Sequence, residues 1–454
     1  MSSPLIVRRE AEIEQLFQAL CGANCASVVG LSNMGKSMLL RMLHTAEFAA
    51  RYAAVTGRAA LLVYVDCNGM LELSGQGFYE LVLRCIQERI THLDSTLQTD
   101  LAEHYRQIVE PETPFLIPLN FNNAMTSVIE GSGHDVILLL DEFDETFDAL
   151  DGRVFLNLRA LRDRYPRQLM YVTATVRRLG SKRSDEQTAE FVELSAAHTF
   201  VLRPLARAEA DKLAVVLAQG AGLADPLETE DLNFLWEQAG GHPGLLGAVI
   251  SRLAEMRTSG QIVRADFASL AEVLARDPTV RAECIRLWGQ LGSEERETLL
   301  SIVVGTLDHH ASRPLQWLDE WGMLRQQNAE VAIFSDLLAD FVRRQATVQR
   351  DLPGGVTVDV DAGDAWVEGQ RIDGLTELEF KLLALLYQRA NKLTDKYQIV
   401  EAVWGADYID EVDDARIEKL ISRLRAKIEP DPSNPRYLIT VRGRGYRLND
   451  AGAV

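Results

Sequence analysis

No stretch of 18 or more apolar residues occurs in the sequence, so no membrane-spanning helix is expected. The first residues, MSSPLIVRREAEIEQL, lack the basic-then-apolar order of a secretory signal, and a cytoplasmic location without membrane contact is expected. Cysteine is sparse and odd in number. Cys21, Cys25, Cys67, Cys85 and Cys284 stand at irregular spacing, which argues against a disulfide framework. Cys21 and Cys25 have no second Cys or His pair nearby, so buried thiols are expected. No segment recurs at a period of 20–50 residues, so a repeat array is not expected. An excess of positive charge is also missing. The formal net charge is −19, which repels nucleic acid at long range, so any nucleic-acid surface must be a local basic patch on an acidic body. What is present is ordinary for a folded chain: 454 residues, 47% hydrophobic and 25% charged, long enough for about three domains.

Residues 26–43, ASVVGLSNMGKSMLLRML, run from a short apolar strand through a tight turn into an apolar-periodic helix. The turn, Gly30-Leu-Ser-Asn-Met-Gly35-Lys36-Ser37, fits G-x-x-x-x-G-K-[ST]. Such a loop wraps phosphates with backbone N–H groups. Its lysine, Lys36, reaches the β and γ phosphates, and the Ser37 hydroxyl ligates Mg²⁺. The helix that follows aims its positive end at the anion. The nucleotide-binding set in this segment is Gly30, Asn33, Met34, Gly35, Lys36, Ser37 and Met38.

Residues 135–145, DVILLLDEFDE, are a continuous apolar run ending in carboxylates, the pattern of a parallel strand buried on both faces. Asp141 at its end can hold Mg²⁺ directly or through water, and Glu142 can polarise an attacking water. Lys36, Asp141 and Glu142 are thus the candidate catalytic residues, with Ser37 and Asp141 on the metal. Residues 60–66 and 169–175 read as further buried strands. Arg177 and Arg178 follow the second of these and either touch phosphate, in cis or across a subunit boundary, or form a solvated basic turn. Residues 70–130 give weak signals and are expected to hold helices inserted between strands.

The segment Val7-Arg8-Arg9-Glu10-Ala11-Glu12 resembles the gRexE opening motif of STAND and Orc/Cdc6-like ATPases within the AAA+ group. VLRPL at 201–205 resembles the strand leading into their helical lid, and Gly240-Gly241-His242-Pro243-Gly244 resembles the GGHP motif of STAND lids. The resemblance spans about 4–345. It implies ATP or ADP as the nucleotide, Arg9 near the adenine, a polar γ-phosphate sensor at Thr173 or Thr175, and His242 and Pro243 meeting the nucleotide and coupling its state to the lid. A helix-capping turn is the alternative for His242. Residues 283–345 show a helical pattern, then a turn at Gly322, then a hairpin signal over Leu324–Phe334, similar to the small winged helix that follows the lid in STAND proteins. Little basic character accompanies it, so no DNA contact is expected there.

After a linker at Pro353-Gly354-Gly355 the pattern changes again. Val356–Val360 and Ala365–Glu368 read as a hairpin about Asp361-Ala-Gly-Asp364. Thr376-Glu-Leu-Glu379 is a capping box opening a helix over Phe380–Gln388. Tyr397–Trp404 and Asp414–Ile428 read as two more helices, and Tyr437–Thr440 with Gly445–Leu448 as wing strands. Between Arg416 and Arg447 nine basic residues face three acidic ones, a local charge of +6. The order and spacing over about 355–449 closely resemble the OmpR/PhoB-type effector domain. The resemblance implies a third helix in the major groove of double-stranded DNA, with Lys419 and Arg423 reading bases. It also implies phosphate contacts from Arg416, Ser422 and Arg425, and a minor-groove contact from Arg442 beside Arg444. Two departures stand out: Leu420 takes a position where some members have a polar contact residue, and Glu418 sets a negative charge beside the groove face.

The expected fold is α/β, a P-loop NTPase parallel sheet with a helical lid, followed by two winged-helix domains. The expected boundaries are 1–205 for the NTPase, 206–280 for the lid, 281–346 for the middle winged helix, 347–355 for the linker and 356–450 for the effector domain. The expected role is a nucleotide-switched, self-associating DNA-binding regulator with slow ATP turnover. The alternatives are an ATPase of DNA transactions, or an interaction switch whose last domain binds a protein such as RNA polymerase.

Overall fold

The structure, a computed structural model, describes residues 9–449 apart from 91–94, 182, 184, 224–225, 259–266, 308–311, 328–329, 351–354, 361–362, 373, 406–413, 433 and 442. Val7 and Arg8 of the opening motif, residues 351–354 of the expected linker and Arg442 lie outside the described residues, and 347–350, expected in that linker, instead continue the helix Asp336–Arg350. The chain divides into two compact units. The first is Met1–Val280 with Ser312–Asp336, and the second is Arg281–Ala311 with Leu337–Val454.

Five strands form the sheet of the first unit: β1 (Ala26–Val29), β2 (Ala60–Asp66), β3 (Asp135–Asp141), β4 (Leu169–Thr175) and β5 (Thr199–Val201). Their order is β2-β3-β4-β1-β5, every pair parallel. β1, β3 and β4 are buried along their whole length, as continuous apolar runs require when helices cover both faces. β4 separates β1 from β3, so the chain segments following these three strands emerge side by side at one sheet edge. The last strand ends at Val201, earlier than the VLRPL pattern suggested. Leu202 still donates to the Val29 carbonyl at 2.7 Å, but Pro204 has no N–H with which to extend the ladder.

The weakly patterned stretch 70–130 holds the helices Gly75–Arg89, Ser95–Val109 and Leu116–Ser132. They pack on one face of the sheet in a core that includes Phe78, Phe121, Phe143, Phe155 and Phe191. Each such ring, removed from water, contributes about 1.5–3 kcal/mol. After β5 come the lid helices Arg207–Gly220, Thr229–Ala239 and Pro243–Thr258. Further on, Ser293–Val304, Ser312–Glu320, β6 (Leu324–Gln327) and β7 (Glu330–Ile333) follow in winged-helix order. Compactness cuts across this order, because 312–336 belongs with the first unit and its flanks with the second.

The second unit ends in a domain of its own. β8 (Val356–Asp359), β9 (Asp364–Val367) and β10 (Gln370–Arg371) form an antiparallel sheet. Helices Glu377–Gln388, Lys396–Val403 and Asp414–Ile428 follow, then the hairpin β11 (Leu438–Val441) and β12 (Gly445–Leu448). The first helix starts at the expected capping box of Thr376 and Glu379, and the second at a further box, Asp395 with Gln398. The Glu429 carboxylate accepts the backbone N–H groups of Arg436, Tyr437 and Leu438, which fixes where the first wing strand begins.

Asp364, expected in a turn, stands in β9 opposite Asp359 and is 4% exposed. Its carboxylate accepts from Trp288 Nε1 at 3.0 Å and from Arg296 at 3.1 Å, while Arg296 Nε also donates to the Trp288 carbonyl. This buried pair fastens the effector hairpin to the helices Pro278–Gly289 and Ser293–Val304. All five cysteines are free; Cys25, Cys67 and Cys284 are buried as expected, whereas Cys21 and Cys85 are partly exposed. Among the described residues no helix is long and apolar enough to cross a membrane.

Candidate nucleotide and nucleic-acid sites

The loop after β1 turns with Asn33 at φ +57° and Gly35 at φ +96°, left-handed values that a short polar side chain and glycine tolerate. The helix Lys36–Leu43 starts directly behind it. Lys36 is 5% exposed, and its Nζ donates to the carbonyls of Gly30 at 2.7 Å and Leu31 at 3.3 Å. Burial pushes its ammonium below the usual pKa, and the carboxylates of Glu142, Asp144 and Asp141 oppose that shift. Met34 is fully buried, while Asn33 and Met38 face outward, so in this loop Met34 supplies packing and backbone.

Asp141 ends β3 and is 1% exposed. Its Oδ1 accepts the Glu142 N–H at 3.0 Å, and its Oδ2 accepts the Tyr64 hydroxyl at 2.5 Å. Burial, and then the bond to Asp141, raise the Tyr64 phenol above its ordinary range. Glu142 sits at φ +50°, a strained position for a residue with a Cβ. Burial raises its carboxyl pKa, Lys36 pulls it back, and Asp141 and Asp144 add to the rise. Strand order thus brings one buried ammonium and two carboxylates of different environment to a single edge. Ser37 and Asp141 offer hard oxygen donors, which suit Mg²⁺ held partly by phosphates. Among the described residues no group of three or more His, Cys, Asp or Glu could hold an ion without such help.

The hydroxyls of the two β4 threonines are engaged: Thr173 donates to Ser27 Oγ on β1 at 3.1 Å, and Thr175 to the Arg177 carbonyl at 2.7 Å. Asp144 accepts the Val176 N–H at 2.9 Å. The arginines behind them do not form a simple solvated turn. Arg178 pairs with Glu320, and the Arg177 guanidinium lies 5.3 Å from the Trp321 ring centroid.

Arg9 is buried and donates from one nitrogen to the carbonyls of Met34 at 2.8 Å and Arg203 at 2.9 Å. It therefore ties the phosphate loop to the segment after β5. Arg203 in turn donates to the Glu320 and Asp319 carbonyls at the end of the helix Ser312–Glu320. Gly240 and Gly241 both have positive φ, and a Cβ on either would stand 2.3 Å from a carbonyl oxygen, of Phe334 and Leu205 respectively. Only glycine fits that double turn. It delivers His242, fully buried, to the phosphate loop. Its Nδ1 accepts the Leu245 N–H, so Nε2 carries the proton and donates to the Ser32 carbonyl at 3.1 Å. His242 thus caps its helix, one of the two readings the sequence offered, and its other ring nitrogen bonds the loop. Pro243 opens the helix Pro243–Thr258, a position that suits its missing N–H.

In the second unit the helix Asp414–Ile428 buries Ile417, Leu420, Ile421, Leu424 and Ile428 and presents Arg416, Lys419, Ser422 and Arg423 to solvent. Leu420 therefore belongs to the core and not to the groove face, so that departure from the pattern falls away. Glu418 is exposed, as expected. Arg425 donates to the Leu438 carbonyl and to Thr440 Oγ1, bracing the helix against the wing. Arg444 is exposed in the turn between β11 and β12. A family model described as "Transcriptional regulatory protein, C terminal" matches residues 369–448.

The carboxy-terminal domain is an OmpR/PhoB-type winged-helix effector domain. The chain is 41% identical across 95 residues to the sensory transduction protein RegX3 of Mycolicibacterium smegmatis, covering 21% of this chain and 40% of that protein. It is also 41% identical across 101 residues to the probable transcriptional regulator ycf27 of Porphyridium aerugineum, covering 22% and 42%. The chain thus spans about two fifths of the length of the curated relatives it matches. Among solved structures, the chain is similar to the Walker-type ATPase paby2304 of Pyrococcus abyssi, with 14% identity and a TM-score of 0.47 over 74% of this chain and 96% of that one. It is also similar to the ORC2 protein of Aeropyrum pernix in its ADP form, with 13% identity and a TM-score of 0.46 over 78% and 97%. The P-loop NTPase fold of the first unit stands on its own sheet order and loop.

Sequence reasoning missed Tyr64, Asp144, Glu320 and the Asp364 clamp of the effector domain. Tyr64 had one usable signal, a phenol two residues before the polar end of an apolar strand whose end lies level with Asp141.

Proposed function

We propose that this chain is an ATP-switched DNA-binding regulator of transcription, in which the nucleotide state governs self-association and the presentation of the effector domain to double-stranded DNA. The observation that carries this reading is the pair of bonds by which Arg9 and His242 grip the phosphate loop from outside it. Arg9 shares the Arg203 carbonyl, and Arg203 holds the helix Ser312–Glu320. That helix lies in a segment of the first unit whose two flanks are both chain of the second. A loop that reshapes around a γ-phosphate therefore acts on groups covalently continuous with the effector unit. Mg²⁺, held by Ser37 and Asp141, would neutralise phosphate charge. Lys36 would bind the β and γ phosphates, and Glu142, with its raised proton affinity, would orient and polarise a water. Rate then falls as pH drops through the Glu142 pKa, because only the ionised carboxylate can polarise that water.

Transcription as the output rests on the effector domain and on relatives named as regulators. Self-association supplies what the acidic body lacks: several effector domains on repeated half-sites raise apparent affinity without any new contact. The test is a DNA-binding assay with ATP, with ADP and with a Lys36→Ala protein. Tighter binding with ATP alone is expected, and equal binding in all three conditions removes the switch.

The face of Asp414–Ile428 yields its own expected result. Lys419 and Arg423 lie four apart on the exposed side, and an arginine can take guanine O6 and N7 together. Arg423→Ala is expected to lower affinity for the preferred duplex by about tenfold or more and to relax the choice at one base position. Arg416→Ala is expected to weaken all sequences alike and to flatten the salt dependence by about one ion. Electrophoretic shifts on a randomised duplex pool at two salt concentrations separate the two.

A further inference from the structure

We propose that Tyr64 is a positioning residue for the metal-side carboxylate, locking Asp141 in one orientation so that Mg²⁺ binds with nucleotide at a lower free concentration. The inference rests on the reading of the phosphate loop as an Mg²⁺–nucleotide site. The two Asp141 oxygens each accept one fixed donor, the Glu142 N–H on Oδ1 and the Tyr64 hydroxyl on Oδ2. A carboxylate oxygen has two lone pairs, so each oxygen keeps one for the ion or for a water on it. The carboxylate cannot turn without breaking both bonds.

Tyr64 is itself held. Parallel pairing sets it beside Leu139, two residues before the end of β2, where Asp66 lies level with Asp141. The Arg41 guanidinium lies 5.5 Å from its ring centroid, and the His44 ring lies at 6.1 Å. Both residues follow Lys36 and Ser37 on the same helix or at its cap. The phenol therefore links the helix carrying one metal ligand to the strand carrying the other. Partners of this kind, bonded to a ligand and not to the metal, typically alter metal affinity 10- to 100-fold when removed.

The test uses Tyr64→Phe in the full chain, which keeps the ring and removes the hydroxyl. A fluorescent ATP analogue is titrated at fixed concentration with Mg²⁺, and again in EDTA. The Mg²⁺ midpoint is expected to rise about tenfold or more, while affinity in EDTA stays close to wild type and the thermal melt without nucleotide falls only by the few degrees that one lost hydrogen bond entails. With Mn²⁺ in place of Mg²⁺, the electron paramagnetic resonance of the nucleotide complex is expected to broaden as the carboxylate gains freedom. Arg41→Lys, which keeps a cation near Asp141 while removing the guanidinium bonded to the Tyr64 phenol, is expected to shift the midpoint the same way by about twofold to fivefold, and it stands in should the phenylalanine variant fail to fold. An unchanged Mg²⁺ midpoint in a folded Tyr64→Phe protein overturns the assignment while leaving the nucleotide site intact. Absence of any Mg²⁺-dependent nucleotide binding by the wild type removes the nucleotide reading and the assignment together.

Discussion

Lys36→Ala is expected to abolish measurable nucleotide binding in calorimetry or in fluorescence titration at micromolar ligand. The Lys36 ammonium is nearly buried and donates to the loop carbonyls of Gly30 and Leu31. Those are bonds that phosphate oxygens can replace with a gain, since each charged hydrogen bond is worth about 1.5–3 kcal/mol. Two such bonds correspond to a loss of at least about 100-fold. The variant also leaves Asp141, Glu142 and Asp144 without the cation that offsets them. The Glu142 carboxyl, already raised by burial, then rises further, so any residual turnover should lose its acid limb at a higher pH than wild type. Retained tight binding in Lys36→Ala would deny the loop its assigned chemistry.

Arg296→Ala is expected to destabilise the second unit by about 3–5 kcal/mol, the usual consequence of stripping a buried charge of its partner. The Arg296–Asp364 bond is 3.1 Å long, with side chains 10% and 4% exposed, so the Asp364 charge left behind is removed from bulk water. At about 2–4 °C per kcal/mol, the transition of that unit should fall by roughly 6–20 °C in calorimetry. The double replacement Arg296→Leu with Asp364→Leu removes both charges and is expected to recover much of that loss, although the Trp288 indole N–H is left without its acceptor. If the single and double variants melt alike, the pair holds nothing. Trp288 reports the same event in fluorescence, because its indole donates to the same carboxylate.

Features written into contiguous residues were legible before any coordinates. The buried parallel strands read as continuous apolar runs, so 60–66 and 169–175 agree with the structure residue for residue, while the run read over 135–145 is strand only to Asp141 and helix from Phe143. The phosphate loop, the Thr376 capping box and the amphipathic helix Asp414–Ile428 are equally local. What escaped depends on partners far away in the chain. Asp364 follows Asp-Ala-Gly, a combination that looks like a turn, and only the indole and guanidinium of residues 76 and 68 positions earlier make it a buried strand residue. Arg178 looked like a phosphate ligand or a solvated charge because its partner Glu320 lies 142 positions on. Leu420 seemed to occupy a contact position, yet helical phase alone, with Ile417, Ile421 and Leu424 on one side, assigns it to the core. The VLRPL strand was displaced because Pro204 cannot donate to a ladder.

The buried Asp364 limits how effector domains can be exchanged between proteins of this architecture. A chimera joined after Arg350 would import a hairpin whose residue at position 364 must accept from Trp288 and Arg296. A graft carrying an apolar residue there strands a guanidinium, and the reverse transplant, the effector domain alone in a new host, carries away an acid without its two donors. Successful swaps should therefore move the helices Pro278–Gly289 and Ser293–Val304 together with the DNA reader, as one cassette interrupted by the 312–336 segment.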